Sequence, residues 1–595
     1  MISRYLILAI IFITTTSLVI LCIPTTKSPA ISCKDYATIE IERLAAMIND
    51  TLLPLAQQEQ DIAAMKASFL ASRQQFKKIE YYIDYFFPTT VKAINGPPIA
   101  EIELGENMIE PPSGFQVIED YLYNNLDKSS HEALINEIKK LNVSLKRILQ
   151  YQKTYTITDA QIFDALRLEI FRITALGITG FDAPLSLQSL PEAAASLTGL
   201  KQSLHFYPKN EETLTLIDHS INYLRRYNNF NHFDRLTFIT AYLNPLSESL
   251  KDMRKKLKIP TASSLSALQN DATSLFGADQ LDINKFVGNK TAYFSAEKAA
   301  LGSALFNDIR LSNGNKKSCA SCHHADKAFT DGLIKAVGID RNNLLRNTPT
   351  LRYAGFQRAF FYDHKAGTLE DQALDVVHNK EEMKGTLTTT AASLQLDSTF
   401  VTLFDRAYGT ASGDINPWKI QHALATYIRS LAPFTSKFDQ YMAGDDKQLG
   451  DAEKKGFNLF MGKAKCATCH FVPIFNGSPA PLFDKTEAEV LGVPAHPDTL
   501  QATLDNDKGR YLLNPYEQYA YAFKTPTLRN IAQTAPYMHN GVYQTLEEVM
   551  DFYNRGGGAG IGIHLENQTL SDQKLNLSKQ EIRDIIAFMQ TLSDE

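Results

Sequence analysis

Two copies of the pattern C-x-x-C-H constrain this chain more than any other feature of its sequence. They are Cys319-Ala-Ser-Cys322-His323 and Cys466-Ala-Thr-Cys469-His470. Two thiols at this spacing can add to the two vinyl groups of one haem, and the adjacent histidine then reaches the iron. The alternatives are a zinc site, which needs four ligands, and a redox dithiol, which gives no reason for the histidine. The motifs therefore predict two covalently bound haem c groups.

The first thirty residues predict export from the cytoplasm. Tyr5 to Pro24 carry no charge, and the stretch is about long enough to cross a bilayer as a helix. Three interpretations stay open: an uncleaved anchor, which we favour, a cleaved export signal, and a lipid anchor at Cys22, where Leu21 replaces the small residue needed. Each places the rest of the chain outside the cytoplasm, where haem attachment takes place. We therefore expect a periplasmic protein tethered to the inner membrane, and we leave Cys33 unassigned.

The composition excludes several classes of protein. Of the 595 residues, 44% are hydrophobic and 21% are charged, as in ordinary globular chains. No later segment is apolar enough to cross a membrane. The net charge of −6 argues against nucleic acid as a partner. At about 100–200 residues per domain, the length predicts roughly three or four domains.

The spacing of apolar residues predicts an all-α fold, with an N-terminal helical bundle followed by two cytochrome c-like haem domains. In one stretch, apolar residues recur on a single helical face; they are Leu134, Ile138, Leu141, Leu145 and Ile148. We expect a signal or anchor at 1–30, the bundle at 34–260, a linker at 261–285, and haem domains at 286–442 and 454–595. Each haem domain carries one motif, as a diverged internal duplication would.

Several helix starts are readable in the C-terminal half. Asn416-Pro417 begins a helix with proline in the first turn, where its missing N–H costs nothing. Two capping boxes open further helices: Thr545 with Glu548, and Ser578 with Glu581. We find no run of alternating residues that predicts a strand.

Six further blocks stand in order along the C-terminal half. They are LGSALFNDIRLSNGNKKSCASCHHADKAFTDG, RNTPTL (346–351), FFYDHKAGTLEDQALDVVHNKEEM (360–383), GKAKCATCHF (462–471), FKTPTLRN (523–530) and APYMHNGVYQTLEEVMDFYNRGG (535–557). With the haem motifs, these blocks resemble the bacterial di-haem cytochrome c peroxidases and their MauG-type relatives. The resemblance covers about residues 285–595.

This resemblance implies that the first haem, held at His323, is the peroxidatic one. The family's distal glutamine and glutamate map onto Gln372 and Glu382. A bound peroxide needs a base for its first proton and an acid on its leaving oxygen. Glu382 would then shuttle the proton and Gln372 would orient the peroxide; the alternative is that both residues only decorate a helix face.

The second haem, held at His470, is by resemblance the electron-transfer one. The position that holds a methionine ligand in the peroxidases holds Tyr553 here, as in the MauG type. A phenolate ligand favours ferric iron and lowers the reduction potential. Tyr553 as a core residue, and Met550 or Met538 as the ligand, remain alternatives.

Other positions depart from the peroxidase pattern. Ile339 replaces a histidine that blocks the iron in many family peroxidases, which predicts an open peroxidatic iron without reductive activation. His364 and His378 are alternative ligands. Tyr362 replaces the tryptophan often found between the haems, and it can relay an electron or hold a radical. The only tryptophan, Trp418, is expected in the core.

The resemblance also implies one Ca²⁺ between the haems, bound by oxygen atoms of side chain and backbone. Its ligands map onto Asn347, Thr534 and Pro536. In the bundle, Gly114 to Glu119 faintly resembles the G-x-H-x-x-E motif of imelysin-like helical domains, but Gln116 occupies the histidine position. We favour a plain helix there, with its apolar residues buried: Phe115, Ile118 and Leu122.

The resemblance thus predicts a cytochrome-c peroxidase that reduces hydrogen peroxide with electrons from a small redox protein, either a cytochrome c or a cupredoxin. Two rivals stay open. One is a MauG-type oxidase that acts on another protein, and the other is an electron carrier or sensor with both irons six-coordinate. A homodimer is an open alternative to a monomer.

Overall fold

The computed structural model describes residues 27–58, 61–103, 108–124, 126, 128–263, 266–409 and 414–595. Residues 1–26 of the predicted anchor segment, including Cys22, lie outside these residues, and Pro29 and Ala30 belong to the first helix of the bundle. Within the described ranges, no helix combines the length and the apolar character needed to cross a bilayer. Cys33, which the sequence left unassigned, is a fully buried core residue of the bundle.

Helices account for 54% of the protein, which confirms the all-α expectation in outline. The helices before the haem half are α1 Pro29–Met47, α2 Leu53–Gln58, α3 Ile62–Lys77, α4 Glu80–Phe86, α5 Pro88–Asn95, α6 Phe115–Tyr123, α7 Lys128–Tyr151, α8 Asp159–Arg172, α9 Ser189–Leu204, α10 Glu211–Arg226, α11 Arg235–Phe238 and α12 Asn244–Lys256. Those that follow are α13 Ala296–Phe306, α14 Leu369–His378, α15 Leu387–Leu394, α16 Ser398–Tyr408, α17 Pro417–Arg429, α18 Lys437–Met442, α19 Asp451–Phe460, α20 Leu546–Arg555, α21 Gly557–Gly560 and α22 Lys579–Gln590.

Among the described residues, four short strands are present where the sequence showed no alternating run that predicts one. They form two antiparallel pairs, β1 Glu101–Glu103 with β2 Met108–Glu110, and β3 Ala488–Val490 with β4 Ala522–Lys524. Each strand has three residues, so none is long enough to show an alternating pattern in the sequence.

The predicted helical faces in the N-terminal half are buried as expected. Along α7, the apolar stripe from Leu134 to Ile148 is fully buried. On α6, the predicted apolar residues are buried too: Phe115, Ile118 and Leu122. Both capping boxes of the C-terminal half are present, at the starts of α20 and α22, because each cap supplies acceptors for otherwise unpaired amides.

The prediction that Trp418 lies in the core is wrong, because its side chain is 44% exposed. Helix α17 begins at Pro417 as expected and buries Ile420 and Leu424. Trp418 lies in the first turn, where its ring is flanked by His422, with ring centres 4.9 Å apart. The Trp418 side chain therefore lies at the N-terminal end of α17 and not on the face that packs against the core.

The two haem halves repeat one helix crossing, which agrees with the predicted internal duplication. Helix α13 packs against α17 at Gly302, where an added Cβ would lie 2.0 Å from the Ala423 carbonyl oxygen. Helix α19 packs against α22 at Gly456, where a Cβ would lie 1.9 Å from the Asp584 carbonyl oxygen. Only glycine allows two helix backbones to approach this closely.

The apolar core is divided unequally between the parts of the chain. The first haem half has a core of its own, which runs from Leu301 to Leu431. The second haem half shares one continuous core with the N-terminal bundle, and a few first-half residues such as Tyr353 and Phe356 also belong to it. The described residues of 261–285, expected as a linker, form no α-helix, yet Leu268, Leu275 and Phe276 are buried in the shared core. The bundle is therefore packed against the second half.

Candidate haem sites

Both C-x-x-C-H motifs fold into the same short turn. Residues Cys319–Ser321 and Cys466–Thr468 form 3₁₀ turns, and in each motif the histidine amide donates to the carbonyl of the first cysteine, at 3.0 and 2.9 Å. The four cysteines are free thiols. They and both histidines line one cavity of about 1630 Å³, which is larger than the roughly 300–1,000 Å³ of a single small-molecule pocket.

The hydrogen bonds of the two histidines fit a haem ligand. The Nδ1 atom of His323 lies 2.8 Å from the Phe329 carbonyl oxygen. The Nδ1 atom of His470 lies 3.1 Å from the Pro526 carbonyl oxygen and 3.2 Å from that of Phe475. A carbonyl partner requires a proton on Nδ1, which leaves the Nε2 lone pair for a metal. Burial lowers the pKa of both rings, that of His470 to about 4, so both rings are neutral at pH 7. The thiols and rings therefore suit two covalent haems.

Glu382 and Gln372 lie on the wall of the same cavity as His323. Gln372 is carried by α14, and Glu382 by the turn that follows it. Burial is the main cause that raises the pKa of Glu382 to about 7, and the nearby Asp375 carboxylate raises it further. Asn379 donates from Nδ2 to Glu382 Oε1 at 2.8 Å. A carboxyl group held in this way can gain and lose a proton near neutral pH.

Tyr362 and the three predicted calcium ligands also line the cavity. The Tyr362 hydroxyl lies 3.4 Å from Asn347 Oδ1, a long hydrogen bond. Asn347 Nδ2 donates to the Leu333 carbonyl oxygen at 2.8 Å. In the part of the chain that the structure describes, no three His, Cys, Asp or Glu side chains are grouped to hold a metal ion. Calcium binding through Asn347, Thr534 and Pro536 stays a prediction.

The three candidate ligands of the second haem line the cavity together. Tyr553 and Met550 are on α20, and Met538 is in the preceding loop, with a positive φ of 69°. Burial raises the pKa of the Tyr553 phenol. The three side chains share one region, so Tyr553 stays the predicted ligand and both methionines stay alternatives.

Two alternative ligands, His364 and His378, and the position of Ile339 do not line the cavity. His364 contacts Arg510, with Nδ1 3.4 Å from a guanidinium nitrogen, and the exposed His378 accepts from the Leu387 amide at 3.4 Å. Ile339 is buried, and its amide donates to the Glu381 carbonyl oxygen at 2.9 Å. None of the three is among the residues that line the cavity.

Sequence reasoning missed two cations on the cavity wall. Lys524 donates to Gln357 Oε1 at 2.9 Å, and burial lowers its pKa to about 8. Arg352 is the second, and its buried Nε has no hydrogen-bond partner. The repeated sequence T-P-T-L-R, at 348–352 and 525–529, was the available signal, because it makes Arg352 the counterpart of Arg529.

Part of the cavity wall comes from the N-terminal bundle, which the sequence gave no reason to expect. The wall residues from the bundle include Gln116, Phe181, Pro184 and Leu185. They lie on the same cavity as Cys466 and His470, which come from the second haem half.

Comparison with known proteins gives consistent matches to about half of the chain. Residues 296–447 match the family model described as di-haem cytochrome c peroxidase. The methylamine utilization protein MauG of Methylorubrum extorquens is 34% identical, over 50% of this chain and 79% of its own. The cytochrome-c peroxidase IdrP2 of a Pseudomonas species, strain SCT, is 34% identical, over 50% of this chain and 81% of its own. A solved MauG-like protein associated with microbial copper homeostasis is 30% identical, covers 52% of this chain and 92% of its own, and has a TM-score of 0.45.

Proposed function

This chain belongs to the di-haem cytochrome c peroxidase and MauG family, and we propose that it is a peroxidase that reduces hydrogen peroxide to water with electrons from a small redox protein. The observation that carries the proposal is the pairing of Glu382 and Gln372 on the cavity wall that also holds His323. The balanced reaction consumes one peroxide, two protons and two electrons and forms two waters.

Two haem c groups are the cofactors of the proposed reaction. Thioether bonds would join them to two cysteine pairs, Cys319 with Cys322 and Cys466 with Cys469, while His323 and His470 would bind the iron atoms. When bound, the haem supplies the iron chemistry of peroxide reduction and of electron transfer. The Nδ1 contacts of both histidines support these roles, because they fix the rings with Nε2 free.

The proton chemistry falls to Glu382. With a pKa of about 7, its carboxylate takes the first proton of peroxide and returns it to the leaving oxygen. The hydrogen bond from Asn379 holds one carboxyl oxygen and leaves the other to reach the substrate. The Gln372 amide, on the helix that precedes the Glu382 turn, orients the peroxide through its donor and acceptor atoms.

Electrons enter at the second haem and pass to the first, with Tyr362 as the relay between them. The position of Tyr362 on the shared cavity wall supports this role. We place the protein in the periplasm, tethered through residues 1–30, with a cytochrome c or a cupredoxin as the donor. A Ca²⁺ bound by Asn347, Thr534 and Pro536 completes the proposed site.

The second candidate function is a MauG-type oxidase that removes electrons from another protein. The observation that favours it is Tyr553 on the cavity wall, at the position where the peroxidases have methionine. A phenolate ligand would lower the reduction potential of the second haem and weaken it as an electron acceptor.

Glu382→Gln tests the proposal. The amide keeps the shape of the side chain but cannot take a proton, so we expect peroxide turnover with a reduced cytochrome c to fall by about 10²–10⁴-fold. Both haems should stay attached, as measured by the pyridine haemochrome spectrum.

The matched control is Glu566→Gln, an exposed carboxylate that does not line the cavity and should leave turnover unchanged. Wild-type turnover in Glu382→Gln would contradict the assignment of this pocket. A wild-type protein that consumes peroxide without oxidising any reduced cytochrome c or cupredoxin would favour the MauG-type function.

A further inference from the structure

The bundle contacts the loop of the second haem motif at both of its ends. Before the motif, Lys465 Nζ donates to the Pro184 carbonyl oxygen at 3.2 Å. After the motif, the Phe471 ring meets the Phe181 ring edge to face, with centres 5.6 Å apart and planes at 70°. Cys466, Cys469 and His470 thus lie between two contacts with the N-terminal domain.

The bundle loop that makes these contacts is itself fixed. Asp182, next to Phe181, is buried and forms salt bridges with Arg172 and Lys77, both at 2.7 Å. Asn95 Nδ2 donates to the other Asp182 oxygen at 3.0 Å. Four buried polar side chains therefore hold the loop in one position, since a buried charge pair loses much energy when one partner moves.

A third contact between the bundle and the second haem half lies at Arg235 and Gly462. Arg235 is fully buried and donates to the carbonyl oxygens of Ile178, Phe230 and Phe233. Gly462, three residues before the motif loop begins at Lys465, lies against this guanidinium group, because an added Cβ would lie 2.4 Å from Arg235 Cζ. The glycine provides the space that the fixed arginine occupies.

We propose that the N-terminal bundle completes the binding site of the second haem. It holds the motif loop in place, closes that part of the cavity to water and thereby raises the reduction potential of the haem bound at His470. Water stabilises the extra positive charge of oxidised iron, so excluding water favours the reduced form. This role of the bundle is separate from the peroxide chemistry, because the enclosure of a haem affects its reduction potential in any reaction that the haem serves.

The test is the Phe181→Ser variant of the full-length holoprotein, followed by a spectroscopic redox titration of both haems. Loss of the ring opens the contact with Phe471 and admits water beside the motif loop. We expect the reduction potential of the haem at His470 to fall, while that of the haem at His323 stays at the wild-type value. A variant without the second motif thiols, Cys466→Ala with Cys469→Ala, identifies which signal belongs to which haem.

Phe206→Ser is the matched control, because Phe206 is a bundle phenylalanine that is 41% exposed and does not line the cavity. It should leave both potentials unchanged. Phe181→Leu, which keeps an apolar side chain, should give a smaller shift in the same direction and serves if the serine variant does not fold.

Wild-type potentials in every foldable Phe181 variant would overturn the proposal. An equal fall of both potentials would overturn it too, because the contacts of Phe181 and Pro184 are with the motif loop of the second half. Fewer than two haems per wild-type chain in the pyridine haemochrome assay would instead refute the predicted cofactors. This assay therefore distinguishes failure of the predicted cofactors from failure of the proposed role of the bundle.

Discussion

The two haem halves are built on one plan, yet they differ in what surrounds their motifs. Each half has a 3₁₀ turn at its cysteines, a histidine held through Nδ1 by a carbonyl group, and a helix crossing at a glycine. The first half keeps its own core and places Glu382 and Gln372 on the cavity wall. The second half merges its core with the bundle and presents Tyr553.

The arginine of the repeated T-P-T-L-R sequence shows the difference most directly. Arg529 in the second half is fully buried and forms two hydrogen bonds of 2.9 Å with Asp439. Arg352 in the first half stacks on Phe329, with its Cζ 5.3 Å from the ring centre, and its buried Nε has no partner. The two arginines thus differ in their surroundings: Arg529 is paired with a carboxylate, whereas Arg352 has a buried Nε without a hydrogen-bond partner.

Asp439→Ala should give the largest effect, because Asp439, on α18 of the first half, supplies the carboxylate that pairs with Arg529 of the second. It leaves the Arg529 charge buried without its carboxylate, so we expect a loss of about 3–5 kcal/mol in the free energy of unfolding. Denaturant unfolding of the holoprotein measures it. Arg352→Leu, the counterpart in the first half, should cost less than about 1 kcal/mol, because no ion pair is lost. Equal losses in the two variants would show that the halves do not differ in this way.

Substitution of the glycine at either helix crossing should destabilise the protein by a similar amount, since both halves have such a crossing. In Gly302→Ala and Gly456→Ala the new methyl group meets a carbonyl oxygen of the facing helix. Overpacking of this kind costs about 1–3 kcal/mol, measured by thermal unfolding. Gly288→Ala is the control, because nothing lies within 4 Å of its added Cβ. A variant pair in which only one crossing is sensitive would contradict the structural repeat.

The pH dependence of turnover should distinguish the first half chemically. Glu382 acts as a base when ionised, and its pKa is about 7, whereas an ordinary glutamate has a pKa of about 4.3. Turnover should therefore rise with pH up to about 7 and fall roughly tenfold per unit below it, equivalent to about 1.4 kcal/mol per unit. Steady-state kinetics between pH 5 and 9 measure this limb. A limb centred near the ordinary value would argue against a buried carboxyl base.

Local patterns predicted much of the fold. The haem motifs, the apolar stripe of α7, the capping boxes and the start of α17 all depend on spacings of a few residues. Trp418 failed because periodicity places a residue on a face but does not say whether a neighbouring element covers it. The four strands were missed because three residues carry no detectable alternation.

The sequence predicted some residues of the candidate site and missed others. Glu382, Gln372 and Tyr553 were found through their resemblance to family blocks, and the structure places them on one cavity wall. Lys524 and Arg352 were missed, since an unpaired cation is recognised only when its surroundings are known. No carboxylate in the described part of the chain is hydrogen-bonded to Lys524, whose side chain donates to Gln357. Lys524 lies beside Tyr362 because its own backbone amide, in strand β4, donates to the Tyr362 carbonyl oxygen at 2.6 Å.

The sequence by itself determined the cysteines and histidines that can hold two haems, because covalent attachment depends only on residue type and spacing along the chain. It also determined that the chain is mostly helical, and it predicts an internal duplication within residues 286–595. Only the tertiary structure decided which half the bundle joins and which side chains enclose the cavity. Those features depend on contacts between residues far apart in the chain, such as Phe181 with Phe471, and packing of that kind leaves no periodic signal in the sequence.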